Sequence, residues 1–287
     1  MDFGNKPVDG GNLLMSRREM QALQLTTAEQ ARYIRRFYGS AEFIRGEMRY
    51  CLWLSDADLT YAEQHPAIAQ RIAAVRAMRL ASPKAQTVEI AATPHRFGEV
   101  RQIGNERSIV VPRVSSENRD YLPVGYLETA IIADAAFALY DAPLWNMALI
   151  ASRLHLVWIA TVCGKLKTDF RYSNTLGWNT FPVPPLTEQH KADLTESAAA
   201  ILLAREMHFP KTIAGLYAPG AMPENLRHAH ERNDEILERI YIGRRFKNDS
   251  ERLEKLFALY SEMAAQKNVV KSKKPRKKKT VPPQGES

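Results

Sequence analysis

Only two cysteines occur in 287 residues, Cys51 and Cys163. They are too few and too far apart for a disulfide framework or a four-ligand zinc site, and their apolar surroundings suit buried free thiols. No stretch approaches the ~18 uncharged apolar residues of a membrane-spanning helix. The start, Met1-Asp2-Phe3-Gly4-Asn5, lacks the basic-then-apolar build of a secretion signal. These absences point away from a membrane and to a cytoplasmic location. What remains, 45% hydrophobic and 25% charged residues, is the composition of a folded globular chain, long enough for one large or two ordinary domains.

The formal net charge of +8 is not spread evenly. From Lys267 onward eight cations face Glu286 alone, and the rest of the chain carries 32 cations and 31 anions. The basic character therefore belongs to a tail, and any nucleic-acid contact by the folded part needs local patches.

The opening is turn-rich with no strand before it, as in a segment from inside something longer. Thr27-Ala28-Glu29-Gln30 has capping-box form, and Ala31, Ile34, Phe37 and Tyr38 then suggest a helix stopped by Gly39. An apolar run at 48–54 suits a buried strand. Pro66 opens a helix to about Leu80 whose Arg71, Arg76 and Arg79 form either a phosphate-contacting edge or a plain solvated face. Short β-branched runs at 87–90, 108–111 and 124–127 suggest a small sheet. Residues 144–162 read as a helix and 166–172 as a strand, with Pro182, Pro184 and Pro185 marking a boundary. Beyond it the periodicity is purely helical, with Pro223 and Asp249-Ser250 as start signals, until the Lys-rich tail, whose composition cannot bury enough apolar area to fold. The fold class is α+β: a small mixed α/β part, an all-α bundle and a disordered basic tail.

Chemical motifs are sparse. Asn179-Thr180-Phe181-Pro182 departs from the Asn-Pro-Pro-aromatic loop that holds a flipped base. Val8-Asp9-Gly10-Gly11 follows no strand and reads as a turn, not a cofactor cradle. His228 and His230, two apart on a helix, do not face one another, and no further ligand completes a metal set. No His-Glu-x-x-His and no Gly-x-Ser-x-Gly elbow occurs.

Two stretches carry recognition chemistry. A strand at 166–172 would place Lys167, Asp169 and Arg171 on one face and Leu166, Phe170 and Tyr172 on the other. Such a row is either a solvated edge or a reader of base edges. In the second case the lysine donates to guanine O6 and N7, the aspartate accepts from the paired cytosine's amino group, and Arg171 reaches the next purine. The second stretch, 112–121, supplies Arg113, Ser115, Ser116, Asn118 and Arg119, an inventory suited to phosphate and sugar contacts, or to a polar turn in which Glu117 pairs with Arg119.

Several blocks in order complete the pattern: Phe3-Gly4-Asn5-Lys6-Pro7 with Asp9-Gly10-Gly11-Asn12-Leu13, Glu42-Phe43-Ile44-Arg45-Gly46, Cys51-Leu52-Trp53, and 112–123 with its Ser-Ser-Glu-Asn-Arg core. They continue with Phe170-Arg171-Tyr172-Ser173-Asn174, Asn179-Thr180-Phe181-Pro182, Leu216-Tyr217, Met222-Pro223, Ala229-His230 and Asn233-Asp234. From Phe3 to about Ala264 the chain resembles the MmeI-like (type IIL) restriction-modification DNA methyltransferases.

The resemblance implies a target recognition domain at 1–185 and a helical C-terminal domain at 186–266, with the tail at 267–287 outside the family pattern. It implies double-stranded DNA as partner, Lys167 and Asp169 as a covarying pair of base readers, Arg171 as a third, and the 133–135 stretch, with Ala135, as Arg171's neighbour. Full-length relatives carry, upstream, a methyltransferase domain with an S-adenosylmethionine glycine loop and the Asn-Pro-Pro-aromatic motif, neither of which this sequence holds. The expected function is therefore sequence-specific DNA recognition for a class I S-adenosylmethionine-dependent N6-adenine methyltransferase. No catalytic, cofactor or metal residue is expected in this chain, and the cofactor is expected in a catalytic partner chain or missing domain. The alternative is a helical protein-interaction scaffold, or a truncated gene product without DNA specificity.

Overall fold

The computed structural model describes the backbone of residues 1–272 and the side chains of 1–266. The first half alternates short elements: β1 (Asp2–Phe3), β2 (Leu14–Ser16), α1 (Arg17–Ala22), α2 (Thr27–Tyr33), β3 (Ile34–Tyr38), α3 (Ser40–Arg45), β4 (Arg49–Leu52), α4 (Asp56–Ala62), α5 (Pro66–Leu80) and α6 (Ala85–Glu89). Strands then dominate: β5 (Arg107–Pro112), β6 (Val114–Ser115), β7 (Gly125–Glu128), β8 (Ile131–Ile132) and β9 (Ala136–Tyr140). After α7 (Trp145–Ile150), α8 (Arg153–Val162), β10 (Gly164–Leu166) and β11 (Asp169–Arg171), the chain is helical: α9 (Glu188–Glu206), α10 (Ile213–Leu216), α11 (Glu224–Ile242) and α12 (Asp249–Ser272). This is the α+β architecture expected, a mixed part followed by a helical one. α12 runs past Lys267, where the tail was expected to begin, and residues 273–287 lie outside the described residues.

Three sheets organise the mixed part. One, ordered β1-β9-β5-β7, is antiparallel; a second, β2-β4-β3-β8, closes with a parallel β3–β8 pair; a third, β10-β11-β6, is small. The second sheet packs on α5 through Leu13, Phe37, Cys51, Leu52, Ile68, Ile72 and Val75. A larger core joins the first sheet (Ile109, Val111, Phe137) to α7 and α8 and onward to Leu194, Ile201, Leu226, Leu237 and Leu256 of the bundle. Apolar packing is thus continuous across residue 185. α11 shows why: Leu226, His230, Asn233, Leu237 and Tyr241 recur at helical spacing and are all buried.

Several local expectations are corrected. The helix expected up to Tyr38 ends at Tyr33, where Ile34 turns extended, because Ile34, Phe37 and Tyr38 favour a strand and the segment pairs on both edges, with β4 and β8. Its N-cap is Thr26, one residue earlier than read, with Glu29 completing the box. The 87–90 run is helical, and the carbonyls of Ile90 at its end and of Thr93 just beyond it accept from Arg79. The 144–162 helix is two helices, broken where Ser152 caps α8 by accepting from the His155 N–H. Pro223 is the N-cap of α11, not its first residue, and Asn248, not Asp249, accepts the Glu251 N–H at the start of α12. Both cysteines are free thiols, Cys51 buried and Cys163 half-buried.

Close backbone approach fixes the N-terminus. A Cβ on Gly4 would lie 2.1 Å from the Ala133 carbonyl oxygen, so only glycine fits. Asn5, fully buried, donates to Gln102 Oε1 and the Ile132 carbonyl and accepts from the Arg101 N–H. The opening block thereby anchors the turn at 133–135.

Candidate nucleic-acid interface

The residues expected along one strand at 166–172 form a hairpin instead. Gly164 pairs with Arg171, Lys165 with Phe170 and Leu166 with Asp169; Lys167 and Thr168 make the connection, with Lys167 at φ 57°. Only Phe170 and Tyr172 have a core to enter, whereas Leu166 remains 50% exposed, so the anchoring alternation begins at Asp169. The cation-anion-cation row is corrected accordingly. Asp169 and Arg171 share a face of β11, and Lys167 stands at the hairpin tip. The tip carries no Asn-Gly or Asp-Gly, the signal that would have exposed it in the sequence.

β11 also pairs with β6, Phe170 opposite Ser115 and Arg171 opposite Val114. Beyond β6 the chain turns back. The Arg119 N–H donates to the Ser116 carbonyl (3.3 Å), and Arg119 Nη1 donates to Ser115 Oγ (3.1 Å). Glu117 pairs with Lys165 at 2.8 Å, not with Arg119 as the polar-turn reading had it. A cleft of about 300 Å³ opens here, lined by Ser40 and Arg45 of α3, Ser115, Ser116, Arg119, Asp169 and Ala214 of α10. Burial depresses the Arg119 pKa, and the Asp169 charge opposes the shift. Asn118 is exposed beside the cleft-lining residues of this turn.

The turn at 133–135 is brought to the same region. Ala135 is exposed, and its carbonyl accepts from Ser40 Oγ at 2.5 Å. Ser40 Oγ in turn accepts the Arg113 N–H (3.1 Å). Arg113 Nη1 donates to the Asp134 carbonyl (2.8 Å), with its guanidinium 5.2 Å from the Phe3 ring centroid and 5.5 Å from that of Phe137. Arg113, grouped in the sequence with phosphate-contacting residues, is committed to holding this turn. Its carbonyl accepts the Tyr172 N–H, so the 133–135 turn stands next to the Arg171 end of β11.

Other singled-out residues serve the scaffold. Arg79 is fully buried and donates to the carbonyls of Pro7, Val8, Ile90, Thr93 and Arg96. Arg71 donates to the Asn12 and Leu14 carbonyls and to Glu19, which leaves Arg76 as the exposed member of the expected edge. The Asp9 carboxylate accepts the N–H groups of Gly11, Leu13 and Leu14. The donors a nucleotide-like cofactor would need are taken, so this turn does not fit S-adenosylmethionine.

His230 bonds Tyr217 Oη at 2.7 Å and stacks on Tyr121, whose hydroxyl donates to Asp234 (2.9 Å). Arg205 donates to Tyr217 Oη, and Asp234 accepts the Arg153 N–H. Burial drives His230 well below its ordinary pKa, with Arg205 adding to the effect. It lifts Asp234 to about 7, with Glu238 adding to the rise. Among the described residues no cluster of three or more His, Cys, Asp or Glu is placed to hold a metal.

The family pattern described as "MmeI, target recognition domain" matches residues 1–185, and "MmeI, C-terminal domain" matches 186–267. The chain belongs to the MmeI family. DNA methyltransferase A of Bacillus subtilis (strain 168) is 41% identical over 264 residues, covering 92% of this chain and 30% of the relative. The structure of the type IIL restriction-modification enzyme MmeI in complex with DNA superposes with a TM-score of 0.84 at 33% identity, over 92% of this chain and 35% of that one. The chain thus spans about a third of the length of these two proteins. No helix among the described residues is long and apolar enough to cross a membrane.

Sequence reasoning gave no role to Ser40, Arg45 or Lys165, and gave Glu117 the wrong partner. The capped start of α3 and its Gly46 stop were legible signals, but nothing local showed that α3 faces β6 and β11.

Proposed function

We propose that this MmeI-family chain reads duplex DNA through the face formed by the β10–β11 hairpin, the 116–119 turn and the 133–135 turn. It would supply sequence specificity to a class I N6-adenine DNA methyltransferase of restriction-modification type. The observation that carries the reading is a cleft lined by Asp169, Arg45 and Arg119, with Arg171 on the Asp169 face of β11, the exposed Lys167 at the hairpin tip, and Ala135 bonded to Ser40 of the same cleft. A carboxylate acceptor and guanidinium donors on a narrow ribbon match the hydrogen-bonding pattern of base edges in the major groove. Of the expected backbone contacts, Ser116 lines the same cleft and Asn118 is exposed beside it, a hydroxyl and an amide suited to sugar and phosphate, whereas Ser115 is buried and holds Arg119. The family match and the DNA-bound MmeI structure support the assignment.

On this reading residues 1–185 recognise the target and 186–266 brace them through the shared core. Methyl transfer, and with it S-adenosylmethionine, belongs to a catalytic part other than these residues, acting on cytoplasmic DNA. The test is selection of bound sequences from a randomised duplex pool. Lys167→Ala and Asp169→Ala are each expected to relax one base-pair position by on the order of 10-fold while retaining the rest of the preferred site. Unchanged preference in both variants contradicts the assignment.

A further inference from the structure

We propose that Arg119 is a positioning residue for Asp169, not a phosphate contact. The proposal rests on the reading of Asp169 as a base reader. Three observations lead to it. The 116–119 turn folds Arg119 back under β6, where its guanidinium is tied to Ser115 Oγ at 3.1 Å, while Ser115 is itself buried opposite Phe170, the residue following Asp169. Arg119 and Asp169 line the same cleft, and the Asp169 charge acts on the half-buried guanidinium. The turn is also fastened to the hairpin's other strand by the Glu117–Lys165 pair at 2.8 Å, over which Lys165 approaches the Phe170 ring.

A guanidinium carries five donors in a rigid fork, and one nitrogen of Arg119 is committed to Ser115. The positive charge lies in the same cleft as a carboxylate that must stay ionised, and stay put, to accept from a base amino group. A phosphate contact would ask for the opposite: an extended, solvent-facing cation with no tether. Arg45, across the cleft on α3, is closer to that character: it is largely exposed and held only by a surface pair with Glu47 at 3.5 Å.

The experiment uses the full chain and the same randomised duplex selection, with Arg119→Met, Arg119→Lys, Asp169→Ala and the double variant Arg119→Met/Asp169→Ala. Affinity for the selected site is measured at several salt concentrations, and thermal unfolding of each variant is followed alongside. Arg119→Met is expected to relax the same base pair as Asp169→Ala, on the order of 10-fold, and the double variant to lose nothing more at that position. Arg119→Lys, which keeps the charge but not the fork, retains part of the preference; it carries the test if the methionine variant does not fold. A uniform loss of affinity over all sequences with a shallower salt dependence, strictly additive losses in the double variant, or full preference in Arg119→Met each overturn the proposal. If Asp169→Ala alone leaves the preferred site intact, it is the readout assignment that fails.

Discussion

Lys167 and Arg171 stand in solvent on a two-stranded hairpin, whereas Tyr121, Tyr217, His230 and Asp234, with as much polar chemistry among them, are sealed between the β-sheet and the bundle. Arg171 and all four buried residues belong to blocks that carry the family resemblance in the sequence. The buried group has its partners inside the protein: His230 with Tyr217, Tyr121 with Asp234, Asp234 with the Arg153 N–H. Among the described residues Lys167 and Arg171 of the hairpin make no ion pair within the protein, and both are exposed. Polar residues in a characteristic spacing are thus of two kinds, and burial with satisfied hydrogen bonds separates the kind that holds the reader in place from the kind that reads.

The comparison breaks first, and most severely, at Arg79. Arg79→Leu removes five hydrogen bonds at once, although the Pro7, Ile90 and Thr93 carbonyls each keep a backbone N–H donor; at ~1 kcal/mol per bond the loss reaches about 5 kcal/mol, comparable to the whole stability of a domain. Circular dichroism of the purified variant should show a chain largely unfolded at room temperature. A variant with near-normal urea unfolding would mean that Arg79 is not the clamp described.

Tyr217→Phe comes next. It removes the hydroxyl shared by Arg205 and His230 and leaves both buried groups short of a partner, a cost of roughly 2–4 kcal/mol in equilibrium unfolding. Sequence preference on DNA is expected to survive wherever the protein remains folded, since the seam only braces the reader.

A smaller and more diagnostic effect is the pH dependence. Folding raises Asp234 to about 7, so between about pH 4 and 7 the folded chain holds a proton that the unfolded chain releases, and this residue alone makes stability fall as pH rises. Burial keeps His230 neutral and lowers His155 to about 3, while an unfolded histidine protonates near ~6.5; each therefore makes stability fall as pH drops below that value. Two histidines outweigh one carboxylate, so from these three groups stability rises with pH between about 4 and 6.5. Asp234→Asn removes the opposing contribution and should steepen that rise by about 1.4 kcal/mol per pH unit, as read from urea midpoints at pH 4.5, 5.5 and 6.5. An unchanged slope would show that Asp234 titrates as an ordinary carboxyl.

Much of the scaffold was legible in the sequence. Pro66 to Leu80 is helical over the residues expected, the 48–54 run contains β4, and the bundle after residue 185 follows its apolar spacing. The errors share a cause: pairing partners distant in sequence decide local structure. Ile34–Tyr38 is a strand because β4 and β8 flank it, and 166–172 is a hairpin because β6 and the core claim only its second half. Arg79 and Arg113 looked like surface cations for want of any local sign that carbonyls would converge on them. For the site, residue type was legible and commitment was not, since whether an arginine is free depends on contacts made by the fold.

The central claim is that the exposed hairpin reads bases while the buried polar seam only holds it, and sequence selection with paired variants tests this most directly. Asp169→Ala should alter the selected site at one base pair with a midpoint of unfolding within about 0.5 kcal/mol of the unsubstituted chain. An unaltered selected site with Asp169→Ala, alongside a changed site with folded Tyr217→Phe, would contradict the account.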